Sequence, residues 1–216
     1  VRISNVENVL IDGFVFKNGN SEYGGGIHIS RADNVTIRNN KINTNHCSGN
    51  KGDRNHAFGG GIYLEGNKIT ITDNEIANNS VAGSSSYGGG IFCGEGRNIR
   101  ILGNTVSSNT SYHYGGGLSI HNSHNALCEN NEIKNNYCYG AGGGGGLYLA
   151  GGSYSATLTN NTISYNTAYR SGSDALHTYG GGIRCRGNMT LVNNTLSHNL
   201  VKSYHNVSYN SILDEF

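Results

Sequence analysis

Nine histidines, six aspartates and five cysteines are the side chains of this 216-residue chain best able to do chemistry. Hydrolysis of a glycosidic bond needs two carboxyl groups held across it as acid and base. Asp12, Asp33, Asp53, Asp73, Asp174 and Asp214 are scattered along the chain and form no such pair by sequence. Elimination next to a sugar carboxylate needs a cation to stabilise an enolate and Lys, Arg or His as base. Two segments carry such groups: His46, Asp53, Arg54 and His56 in one, Arg170, Asp174 and His177 in the other. His121-x-x-His124 offers two nitrogens without a third ligand, whereas zinc sites use three or four. The expectation is no assigned catalytic residue and no metal ligand.

Aromatic residues form a second class of candidate. His28, Tyr63, Phe92, Ser119, Tyr148 and Arg184 each lie between two apolar residues, as in Ile62-Tyr63-Leu64 and Leu147-Tyr148-Leu149. A further line, Tyr23, Phe58, Tyr87, Tyr114 and Tyr179, immediately precedes the glycine triplets of the chain. Rows of rings suit the apolar faces of sugars; equally, they shield strand surface or stack on one another as a stiffener.

The elements that position these residues are repeats. A Gly triplet followed by Ile or Leu recurs six times, ending at Ile27, Ile62, Ile91, Leu118, Leu147 and Ile183. Each triplet opens a short alternating segment, the period of a strand. The middle residue of that segment must then point away from the core, which places the stripe on an exposed face. Downstream comes apolar-x-apolar-x-x-Asn-x-apolar-x-x-Asn, as in Val35, Ile37, Asn40, Ile42, Asn45. Its first asparagine recurs at Asn40, Asn74, Asn104, Asn131, Asn161 and Asn194, its second at Asn45, Asn79, Asn109, Asn136, Asn166 and Asn199. Three short strands per repeat, joined by tight turns, make one coil of a right-handed parallel β-helix, and about seven coils are expected, all in one domain over 1–216. Stacked about 4.8 Å apart, coils that cannot bury their own apolar faces share a continuous core. Asparagines at equivalent turns tolerate left-handed backbone and bond along the stack as a ladder.

Composition agrees. Thirty-four glycines and 33 asparagines disfavour helices, and the absence of proline excludes collagen and leaves every ladder N–H available. A net charge of +1 disfavours nucleic acid as a partner, and no apolar run is long enough for a transmembrane helix. Inward Cys93, Cys128 and Cys185 read as small buried hydrophobes, while Cys47 and Cys138 fall in loops of varying length. The seven Asn-x-Ser/Thr sequons follow from composition. Beginning at Val1, the chain is expected to be a mature or excised segment of a longer protein.

The Gly-Gly-Gly-Ile and Asn-x-Ile-x-x-Asn elements resemble the GGA[ILV] and FxxN repeats of polymorphic outer-membrane proteins, and more broadly secreted right-handed β-helix repeat proteins. That resemblance covers essentially the whole chain and implies a secreted or cell-surface module. The leading expectation is binding of a polysaccharide or cell-surface glycan, or adhesion. The stripe (His28, Tyr63, Phe92, Tyr148, Arg184) and the second line (Tyr23, Phe58, Tyr87, Tyr114, Tyr179) would be its contact surface, and no cofactor is expected. One alternative is a β-helix polysaccharide lyase, which would bring calcium. Another is a structural subunit associating end to end, coil on coil, into a filament. The two candidate loops stand four coils apart, about 19 Å, so they would not share a small site.

Overall fold

The computed structural model describes residues 1–49, 56–140, 142–170 and 179–202, with backbone alone for 152–154, 207–209 and 212–214. They form a parallel β-helix of three sheets of twelve, seven and eight strands and one two-stranded ribbon. About six turns carry the seven rungs of the second sheet. A typical coil runs Ile27–Arg38 in the first sheet, Lys41–Asn43 in the second and His46–Ser48 in the third. The triplet-following residues stack in register as the repeat requires, Ile27 on Ile62 on Ile91 on Leu118 on Leu147 on Ile183.

Two expectations about the coil need correction. In several coils the first two predicted strands are one strand with a bulge, as in Ile27–Arg38, where the register shifts between Ile29 and Ala32; where they stay separate, as in Ile91–Arg97 and Arg100–Leu102, both still belong to the first sheet. The segments read as variable loops begin with the strands of the third sheet, such as Ser80–Ala82 and Tyr137–Tyr139. Two or three residues are too few to show a period, which is why these strands are silent in the sequence.

Inward Ile, Leu, Val, Ala and Cys side chains fill one core along the axis, with Ile27, Ile62 and Ile91 fully buried. All five cysteines are free and buried. Cys47 and Cys138 fill inward positions of the third sheet, where burial pushes both thiols up to about 12.

Both asparagine series are ladders. Asn74 donates its backbone N–H and its amide to Asn104 Oδ1, each at 3.0 Å, and Asn104 repeats this on Asn131 at 2.9 and 3.1 Å. Asn40, Asn131 and Asn161 continue the first series, which ends at half-buried Asn194. The second series runs from Asn45 through Asn109 to Asn199. The left-handed residue of each turn is not the ladder asparagine but the one before it: Asn39, Asp73, Gly103, Asn130, Asn160 and Asn193 all have φ between 52° and 62°. This turn swings the following side chain inward, where its amide meets the adjacent rungs. The glycine triplets close the coil against the second ladder. Gly59 has φ +69°, a Cβ on Gly60 would sit 2.6 Å from the Ser80 carbonyl oxygen, and one on Gly61 would sit 3.0 Å from Asn79 Nδ2. Only a bare backbone fits there.

Candidate functional site

Strand alternation turns the stripe away from the central core, as expected, but does not expose it. Tyr63, Phe92, Tyr148 and Arg184 retain only 6, 5, 4 and 5 % of their accessible surface, Ser119 is fully buried and His28 is half-buried. The reason is the second aromatic line. Tyr23, Phe58, Tyr87 and Tyr114 stack ring on ring along the axis, with centroids 5.7, 5.3 and 4.8 Å apart, and roof the stripe. Phe58 packs on Phe92 at 4.7 Å and Tyr114 on Tyr148 at 4.6 Å, while Tyr63 and Phe92 stack at 5.5 Å beneath. His121 is wedged among Tyr87, Phe92 and Tyr148, with Nε2 2.9 Å from Ser119 Oγ, and burial holds its pKa down to about 4. His28 is also lowered, by burial and then by Arg2. Burial raises Tyr63 and Tyr148, and pushes Tyr87 up to about 12. At the far end Arg184 lies 4.3 Å from the Tyr179 ring centroid and donates to the Gly142 carbonyl. The predicted exposed platform is therefore a second, aromatic core. Its ring faces are spent on one another, leaving edges outward.

The open site lies beside it, at the bulge of the first sheet. Ala32, Gly66, Gly96 and Ser123 share one register position, and the backbone of Gly66 and Gly96 forms a floor. A Cβ on Gly96 would meet the Gly66 carbonyl oxygen at 2.3 Å and Ile99 Cδ1 at 3.2 Å, so only bare glycine backbone lets the rungs close there. The next position carries a polar side chain on each of four rungs: Asp33, Asn67, Arg97 and His124. Arg31, Glu65, Glu95 and Asn122 complete the walls of a groove of about 470 Å³. Three rung spacings make the row about 14 Å long, parallel to the helix axis.

Every side chain lining this groove is polar and both signs of charge are present, yet no ion pair among the described residues joins Arg31, Asp33, Glu65, Glu95 or Arg97 to another group. Asp33 Oδ1 accepts from the backbone N–H and the amide of Asn67, at 3.2 and 3.0 Å. Burial first, and then the neighbouring Glu65, raise the Tyr63 hydroxyl, so the aromatic core adjoins the groove wall. Carboxylates, amides and guanidinium groups of this kind hydrogen-bond to hydroxyls and charged substituents. The acidic side chains missing from the stripe are gathered here: Asp33, Glu65 and Glu95. Sequence reasoning missed the groove because its residues straddle a bulge; the recurrence of Gly66 and Gly96 beside an acidic residue, Glu65 and Glu95, was the available signal.

Among the described residues the other candidates do not assemble. His46 Nδ1 lies 2.8 Å from Ser80 Oγ on the outer face of the third sheet, and His56 stacks on Phe58. Arg170 follows the strand Thr167–Tyr169, several rungs away. Asp53, Arg54, Asp174 and His177 lie outside the described residues. Among the described residues no group of three His, Cys, Asp or Glu is placed to hold a metal ion, and no helix is long and apolar enough to cross a membrane.

Residues 1–201 match the family described as right-handed β-helix region. The chain belongs to this family. Its coils are accordingly those of a right-handed β-helix, and the match is to the general fold rather than to the outer-membrane-protein repeats in particular. No curated protein matches the chain. Right-handed β-helices serve in both binding and catalysis, so function rests on the site and not on the fold.

Proposed function

We propose that this β-helix is a module of the cell exterior that binds a polysaccharide chain lying along its axis in the polar groove. One observation carries the reading: Asp33, Asn67, Arg97 and His124 present one polar side chain per rung at a single register position, beside carboxylates and guanidinium groups that no ion pair among the described residues neutralises. A linear polymer of hydroxylated units meets such a row with a contact at every rung. The rigid sheet beneath holds the row in place, so little order is lost on binding. Placement outside the cell follows from the motif resemblance described above.

Affinity electrophoresis in gels containing neutral or uronate-bearing polysaccharides tests this. At least one polymer should retard the protein, and Arg97→Ala and Glu95→Ala, both at exposed positions, should relieve the retardation without changing the melting temperature. Retardation by no polymer, or retardation unaffected by either substitution, would overturn the proposal. The lyase alternative is favoured by one feature, the register pairing of Arg97 with His124, a cation beside a candidate base. Release of unsaturated sugar from a bound uronate polymer, abolished by His124→Ala, is its signature.

A further inference from the structure

The exposed aromatic row that the stripe failed to supply stands on the third sheet. Tyr139 and Tyr169 pair in register on the third sheet, Tyr112 follows directly on the strand Thr110–Ser111 one rung before, and Tyr112 and Tyr139 keep 55 and 41 % of their surface. Tyr112 stacks on Tyr139 at 5.9 Å and 28°, and Tyr137 packs against Tyr139 at 4.3 Å. One rung before Tyr112, the same position holds Ala82. There the row stops, and a hollow of about 370 Å³ opens, lined by Ala82, Gly83, Ser84, Tyr112 and His113. The Tyr112 ring thus has Tyr139 on one side and the hollow on the other. His113 Nδ1 is buried and makes no hydrogen bond among the described residues. The strands His46–Ser48, Ser80–Ala82, Thr110–Ser111, Tyr137–Tyr139 and Thr167–Tyr169 contain no Asp, Glu, Lys or Arg.

We propose that this hollow seats one uncharged sugar ring of a glycan, stacked on Tyr112 where the next aromatic of the row would stand. A pyranose has an apolar C–H face to lie on the tyrosine and a hydroxyl rim for Ser84, His113 and water. Among the described residues no Lys or Arg lines the hollow to take a phosphate, which disfavours a nucleotide. The ligand class is that of the proposed function, and the subsite rests on that reading, but it occupies a different sheet from the groove.

With fourteen tyrosines and no tryptophan, the chain's intrinsic fluorescence reports tyrosine alone. Titration with neutral β-1,4- and α-1,4-linked glucose and mannose hexasaccharides should quench it saturably. Tyr112→Ala should weaken binding about tenfold, the scale of one lost ring contact, and Tyr112→Phe should retain it. Ala82→Tyr should abolish binding by filling the hollow with the missing ring. Circular dichroism checks that each variant keeps the parent's fold. Glu75→Ala, on the second sheet and outside both sites, should leave this binding unchanged. Hexasaccharide binding that survives both Tyr112→Ala and Ala82→Tyr would overturn the subsite while leaving the groove reading intact. Saturable binding of adenosine or N-acetyltyrosinamide in place of every sugar, or no hexasaccharide binding at millimolar concentration, would also overturn it.

Discussion

Replacing Asn104 by leucine keeps the side chain's approximate shape and removes all of its polar atoms, in the middle of the first ladder. Asn104 Oδ1 is the acceptor for both the backbone N–H and the amide of Asn74, each at 3.0 Å. Its own amide donates to the carbonyls of Ile71 and Leu102 at 2.9 and 3.0 Å. The Leu102 carbonyl keeps a second donor, the Asp73 N–H, and the Asn74 amide keeps the carbonyls of Ile37 and Thr72. What has no substitute is the buried backbone N–H of Asn74. Stranding that donor costs about 1–3 kcal/mol, and the loss of the remaining mutually polarised bonds brings the total to roughly 3–5 kcal/mol. For a chain of this size that corresponds to a fall of about 10 °C in melting temperature. Asn194→Leu, at the half-buried end of the same ladder where water can replace the lost partner, should cost about half as much. Thermal and urea denaturation followed by far-UV circular dichroism measures both. If Asn104→Leu melts with the parent, or if the two substitutions cost the same, the ladder is not stabilising in the way argued here.

Two further outcomes follow from the aromatic core. Burial lowers His121 from its ordinary 6.5 to about 4, so between those values the unfolded chain binds the extra proton. Stability is then full above about pH 6.5 and falls as the pH drops toward 4, by at most about 3 kcal/mol. Urea midpoints at neutral and acid pH should show this fall in the parent and a smaller one in His121→Phe; equal falls would place the acid sensitivity elsewhere. Tyr148→Ala, under the roof of Tyr114, should lower stability by about 3 kcal/mol and leave hexasaccharide titrations unchanged. An unchanged urea midpoint would mean that the outer rings do not shield the stripe.

The repeat made the fold legible because a solenoid imposes one constraint many times. Six glycine triplets and two asparagine series at constant offset leave only a stack of coils able to keep them in register. What the period could not reveal lay where strands are shortest or interrupted. Strands of two or three residues, such as Thr110–Ser111, carry no alternation to read. The bulge between Ile29 and Ala32 made one long strand look like two.

Direction and exposure are separate properties, and the aromatic stripe shows how they part. Alternation correctly turned Tyr63, Phe92 and Tyr148 away from the axis, because Ile62, Ile91 and Leu147 are committed to the core. Whether an outward residue meets water depends on what the chain lays over it. Here Phe58, Tyr87 and Tyr114, each just before a glycine corner, pack onto the first strand of the next coil, against Phe92, His121 and Tyr148. A left-handed glycine such as Gly59 permits that packing, so the conformation that closes the coil also roofs its outer face. Surface left open must then come from positions where no such roof forms, namely the bulge with its glycine floor and the third sheet beyond the roof. In this solenoid the rows most regular in sequence are those spent on stability, whereas the proposed binding residues occupy its breaks: Glu65 and Glu95 at the bulge, and Ala82 where the tyrosine row ends.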